Sequence, residues 1–194
     1  LLYLIGALSI SFLCSILEAV LLSVPMSFVS MLEKENRPGA ALLKKYKQDI
    51  DKPIAAILSL NTISHTVGAA GVGAQSAEVF GSDFFALTSA ILTLLILVLS
   101  EIIPKTIGAA HWRSMAIPCA RVIHALVIIT YPLVLMAELI THVFSGKKQQ
   151  ATVSREEVSA MVTVGAEEGV FEKKENRMIQ NLLKLDDVKA RDIM

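Results

Sequence analysis

Side chains with oxygen donors recur at helical spacing inside stretches that are otherwise apolar. Ser11, Ser15 and Glu18 stand at i, i+4 and i+7 within residues 1–22. At 100° per residue they fall within about 60° on one helix face. Asn61, Ser64, His65 and Gly68 make a second such face within residues 54–74, and Ser100 and Glu101 precede Pro104 within residues 84–104. Proline has no amide to offer the carbonyl four residues back, so Pro104 adds the backbone oxygen of Ser100 to the donor set. Hydroxyl, amide carbonyl, carboxylate and freed backbone carbonyl are hard ligands. They suit Mg²⁺, Ca²⁺ or Na⁺ and suit soft metals poorly.

Each residue also has a plainer use. A lone serine in an apolar helix commonly bonds a neighbouring helix or its own backbone. Glu18 and Glu101 could pair with Lys105, and His65 reads as a packed, hydrogen-bonded side chain before it reads as a ligand. The small-residue run 68–74 reads as a surface for close helix packing. Three polar faces converging at one depth are what favour the ion site.

The elements that would position these residues follow from composition. The chain has 194 residues, 18 basic and 18 acidic, and is 54% hydrophobic. The apolar residues concentrate in stretches 1–22, 54–74, 84–103 and 122–144, each long enough to be tested as a span of about 20 residues. Zero net charge argues against nucleic-acid binding. Cys14 and Cys119 lack metal-ligand spacing and read as inert buried thiols. No catalytic triad or phosphate loop stands in a consistent context, so an enzyme is not expected.

Charge orients the spans. Lys34, Arg37, Lys44, Lys45, Lys47 and Lys52 lie between the first two stretches, whereas the connection 75–83 carries only Glu78 and Asp83. The first connection is thus expected in the cytoplasm, the second outside, and the N-terminus outside. A full crossing by 122–144 would carry Lys147, Lys148 and every later cation outside, and Pro132 interrupts that stretch. It is therefore expected as two shorter helical pieces. The expected fold is an all-α membrane protein. Residues 1–144 supply three transmembrane helices, about 1–22, 54–74 and 84–104, with juxtamembrane helices at about 33–48 and 105–144. On this drawing Glu18 and Glu101 lie roughly 10 Å, and Ser15 and Asn61 roughly 5 Å, to the cytoplasmic side of the span midpoints.

Residues 151–194 differ in kind. Ser154 precedes Glu157 as in a capping box, Gly165 and Gly169 punctuate the segment, and Met178, Ile179, Leu182, Leu183 and Leu185 recur at helical spacing among charges. A small acidic helical bundle on the cytoplasmic side is expected. The abrupt start at Leu1 and the run to Met194 without a stop signal suggest a larger protein.

In order along the chain, Ser15-Ile-Leu-Glu18-Ala, Leu60-Asn61-Thr62, Ser100-Glu-Ile-Ile-Pro104-Lys105-Thr, Glu167-Glu-Gly169-Val-Phe-Glu172 and Leu185-Asp-Asp-Val-Lys-Ala-Arg-Asp-Ile-Met194 resemble the CorC/CNNM (cyclin M) family of magnesium transport proteins. The resemblance implies a multi-pass protein of the cell (inner) membrane. It implies a homodimer through the transmembrane domain, with an acidic bundle leading to a pair of CBS modules that this chain does not contain. It further implies Mg²⁺ export coupled to Na⁺ influx, with Ser15, Glu18, Asn61, Ser100 and Glu101 standing in the matching motifs. Ser11 and Ser64 join the candidate set from helical geometry alone. Leu17 and Ala19 replace a serine and a threonine of the usual motif and bring no ligand. The alternative function is a membrane anchor that transports nothing and regulates a separate Mg²⁺ channel through a cytoplasmic CBS sensor.

Overall fold

A computed structural model describes residues 2–81, 84–144, 155–167, 169–170 and 172–183. Among them every regular element is helical: α1 (Leu2–Ser23), α2 (Met26–Lys34), α3 (Ala40–Gln48), α4 (Asp51–Phe80), α5 (Phe85–Leu95), a π-helical segment (Ile96–Ile102), α6 (Ile103–Ala110), α7 (Trp112–Ile129), α8 (Tyr131–Phe144), α9 (Arg155–Glu167) and α10 (Lys173–Leu183). Residues 1–145 and 146–194 form separate compact units.

In the first unit α1 is the hub, packed against α4, the π-helical segment, α6 and α7. Small residues permit the closest approaches. A β-carbon on Gly68 would collide with the Ala7 methyl, one on Gly71 would reach 2.5 Å from the Tyr3 ring, and one on Gly108 would sit 2.9 Å from the Ala19 methyl. Tyr3, Ala7 and Ser11 thus meet Gly71, Gly68 and His65, an antiparallel register, whereas Ser11 and Glu18 meet Ser100 and Lys105, a parallel one. The glycine run is a packing surface.

The apolar core gathers toward the C-terminal end of α1. Leu17, Val20, Leu21 and Val24 pack there with Val29 of α2, Leu43 and Tyr46 of α3, Ile57 of α4, and Ala120 and Ile123 of α7. Pro25 ends α1 and leads into α2 in extended conformation. Gly39 begins α3 at φ 101°, a left-handed position where a side chain would be strained and would also strike Ile117. Lys47 donates to the carbonyl of Leu21 at 3.1 Å, satisfying one acceptor in the last turn of α1. Burial lowers the Lys47 pKa and raises that of Tyr46 from their ordinary values.

Four helical stretches are long and apolar enough to cross a membrane, Leu2–Ser23, Asp51–Val79, Ala86–Ala110 and Trp112–Ile129, rather than the three expected. The additional one, Trp112–Ile129, lies inside the anticipated belt 105–144, and the third runs further than expected. The third stretch continues through Pro104 to Ala110, the proline standing in the first turn of α6 just after the π-helical segment, where its missing amide is least felt. The fourth joins residues 112–121 to the apolar 122–129 across Pro118, which stays inside α7. A helix of this kind tolerates an interior proline when neighbouring helices and local adjustments take up the freed backbone groups. The expected break near Pro132 is present. Thr130 ends α7, its hydroxyl donating to the Leu126 carbonyl at 2.9 Å, and Pro132 falls in the first turn of α8, where no amide is needed.

In the second unit α9 packs on α10. Ser159 donates to the Gln180 side-chain oxygen at 2.6 Å, and the Gln180 amide donates to the Ser159 carbonyl at 2.8 Å. Gly165, expected as punctuation, lies within α9, while Gly169 takes φ 79° in the connection. The Glu175 carboxylate accepts from the Glu172 amide at 2.8 Å, closing the start of α10. The capping box at Ser154 and the apolar position Leu185 lie outside the described residues.

Candidate functional site

The register between α1 and α4 determines what can meet. Ser11 bonds His65, so one turn further along both antiparallel helices Ser15 and Asn61 come level. The parallel register between α1 and the third apolar stretch pairs Ser11 with Ser100, which brings the following turn, 101–104, to the level of Ser15. Three chain segments therefore converge at one depth.

Ser11, Ser15 and Ser100 are fully buried and Ser64 nearly so; Glu18, Asn61, His65 and Glu101 are half-buried. The Ser11 hydroxyl lies 2.6 Å from His65 Nε2 and donates to Ser100 Oγ at 3.0 Å. Ser100 in turn donates to the Ile96 carbonyl at 2.8 Å. Ser64 donates to the Ala7 carbonyl at 2.9 Å, which ties α4 to α1 and leaves it a structural bond. Ser15 Oγ and Asn61 Oδ1 are buried without a hydrogen-bond partner among the described residues. Such orphans are uncommon and call for an explanation such as an ion or water. Of the three such atoms among the described residues, Asn176 Oδ1 lies in α10 of the second unit, and the other two belong to the two residues that the helix register brings level.

The acidic residues divide. Glu18 is paired with Lys105 at 3.4 Å, as its plainer reading anticipated, whereas Glu101 has no ion-pair or hydrogen-bond partner among the described residues. No group of three His, Cys, Asp or Glu side chains assembles among the described residues. Any cation held at this depth would therefore meet mainly neutral oxygens.

Ser100 occupies the π-helical segment, where the Ile103 amide bonds back five residues to Val98. Pro104 can donate neither to Ser100 in an α register nor to Leu99 in a π register. π-helical turns are frequent where a helix carries function. This register was not anticipated. Pro104 is its visible trace in the sequence, and the extra residue itself has no compositional mark.

A family model described as "Cyclin M transmembrane N-terminal domain" matches residues 2–175. The UPF0053 protein sll1254 of Synechocystis sp. is 37% identical over 94% of this chain and 53% of its own length. A UPF0053 protein of Haemophilus influenzae is 27% identical over 91% of this chain and 43% of its own. The UPF0053 inner membrane protein YfjD of Escherichia coli is 25% identical, over 84% and 39% respectively. The chain spans about half the length, or less, of these relatives. Its helices, apolar enough to lie in a bilayer, and the match over most of its length give one conclusion: the chain belongs to the cyclin M transmembrane-domain family.

Proposed function

We propose that this chain is the membrane domain of a Mg²⁺ transporter that moves Mg²⁺ out of the cytoplasm against inward Na⁺ movement. The observation that carries this reading is the pair of buried oxygens without a partner among the described residues, Ser15 Oγ and Asn61 Oδ1, about one helical turn from the level of Ser100 and near that of Glu101, which also has no ion-pair or hydrogen-bond partner among them. An unsatisfied buried polar atom costs about 1–3 kcal/mol, and a cation passing at this depth would satisfy both. Glu101 and Glu18 draw the cation toward the site. Ser15, Asn61 and Ser100 replace part of its water shell. Mg²⁺ releases water reluctantly, and a mostly neutral ligand set holds it loosely enough to let it go.

The lysines and arginine of 34–52 support a cytoplasmic placement of α2 and α3, with the start of α1 outside. Ser64 and Lys105, which use polar groups purely for packing and pairing, give the regulator reading its support. Proteoliposomes containing only the purified protein separate the two. A transporter moves Mg²⁺ when either a Mg²⁺ or an opposing Na⁺ gradient is imposed; a regulator moves none under either.

A further inference from the structure

The two bonds of Ser11 and the bond from Ser100 to the Ile96 carbonyl together fix the direction in which each proton points. Ser100 has one hydroxyl proton and spends it on the Ile96 carbonyl, which can only accept. The proton between Ser11 and Ser100 must then come from Ser11. Ser11 has none left for His65, so the 2.6 Å contact is a donation from His65 Nε2–H to Ser11 Oγ. The order is His65 to Ser11 to Ser100 to the Ile96 carbonyl, running from α4 through α1 into the π-helical segment. In a neutral ring this order requires the tautomer with its proton on Nε2.

We propose that His65 is a positioning residue for ion binding, acting through Ser11 to hold the hydroxyl of Ser100 in one orientation. With its proton on Ile96 and one lone pair accepting from Ser11, Ser100 keeps a single lone pair whose direction is set. A hydroxyl fixed this way meets a cation without first turning, which is the benefit of an ordered supporting shell. Ser11, expected from helix geometry to be a ligand, is reassigned as the link in this relay. His65, read from the sequence as a packed residue, is packed and directional.

This inference rests on the transport reading, and its test separates the two. Mg²⁺ uptake by proteoliposomes is followed against Mg²⁺ concentration for the wild type, Ser11→Ala, His65→Ala and His65→Gln. Breaking the relay in Ser11→Ala or His65→Ala raises the half-saturating concentration about tenfold, the loss of one buried hydrogen bond's orienting effect, with the maximal rate within about twofold. His65→Gln keeps an N–H at the same reach and stays within about threefold of the wild type. A glutamine variant as impaired as the alanine variant overturns the proposal, as does unchanged half-saturation in Ser11→Ala. ¹⁵N NMR of the His65 ring reads the relay without transport: a protonated Nε2 supports it and a bare Nε2 overturns it. A wild-type protein that moves no Mg²⁺ removes the transport reading, and the ring spectrum then still decides the relay.

Discussion

The hydroxyl of Ser11 donates to that of Ser100 at 3.0 Å, joining two buried side chains that are 89 residues apart. Both atoms are away from water, so the bond fixes how α1 and the π-helical segment sit against each other. One turn further along α1, Ser15 is equally buried, and its oxygen has no partner among the described residues. The same two elements thus hold one serine satisfied and leave the next one open.

Ser15→Ala should separate stability from function. Deleting a buried hydroxyl that bonds nothing removes a desolvation cost, so the thermal midpoint should hold or rise, with a gain of up to about 1 kcal/mol. Mg²⁺ transport should fall at least tenfold. A variant that loses stability and keeps transport would show that Ser15 has a structural role.

Pro104→Ala returns an amide to the position where the helix changes register. The segment can then relax toward the α register, turning Ser100 by about 100° relative to α1. Far-UV circular dichroism should be unchanged while transport is lost. Transport at the wild-type rate would mean that the π-helical turn is incidental.

Lys105→Met frees Glu18 from its ammonium partner. That partner competes with any incoming cation, so the half-saturating Mg²⁺ concentration should fall about two- to fivefold, the modest scale of a partly exposed ion pair. Concentration-dependent uptake measures it, and a rise would assign Lys105 a role in shaping the vestibule.

Gly108→Ala tests the packing. The new methyl would lie 2.9 Å from the Ala19 β-carbon and 3.0 Å from the Ile16 carbonyl oxygen, neither of which can swing aside as a long side chain can. A loss of about 1–3 kcal/mol is expected, visible as a lower melting temperature in detergent.

Much of this was legible because the bilayer simplifies the sequence. The apolar stretches mark helices, and polar residues at helical spacing mark inward faces, which is how Ser15, Asn61 and Ser100 stood out together. Helical spacing gives a face but not a partner. It placed Ser11 and Ser64 inward and could not show that their hydroxyls are committed, one to Ser100 and the other to the Ala7 carbonyl. The span count differed because Pro132 and the cations after residue 144 argued against a crossing by 122–144, whereas α7 starts earlier, at Trp112, and continues through Pro118 to Ile129. The π register depends on one extra residue per turn, and periodicity over so short a segment does not reveal it.

The central claim is that Mg²⁺ passes between Ser15, Asn61 and Ser100. Its most direct measurement is Mg²⁺ flux in proteoliposomes of the purified protein, with the wild type beside Asn61→Ala. Gradient-driven flux in the wild type, reduced to the level of empty liposomes in a variant that is still folded, is the predicted result. Equal flux in both would contradict the account.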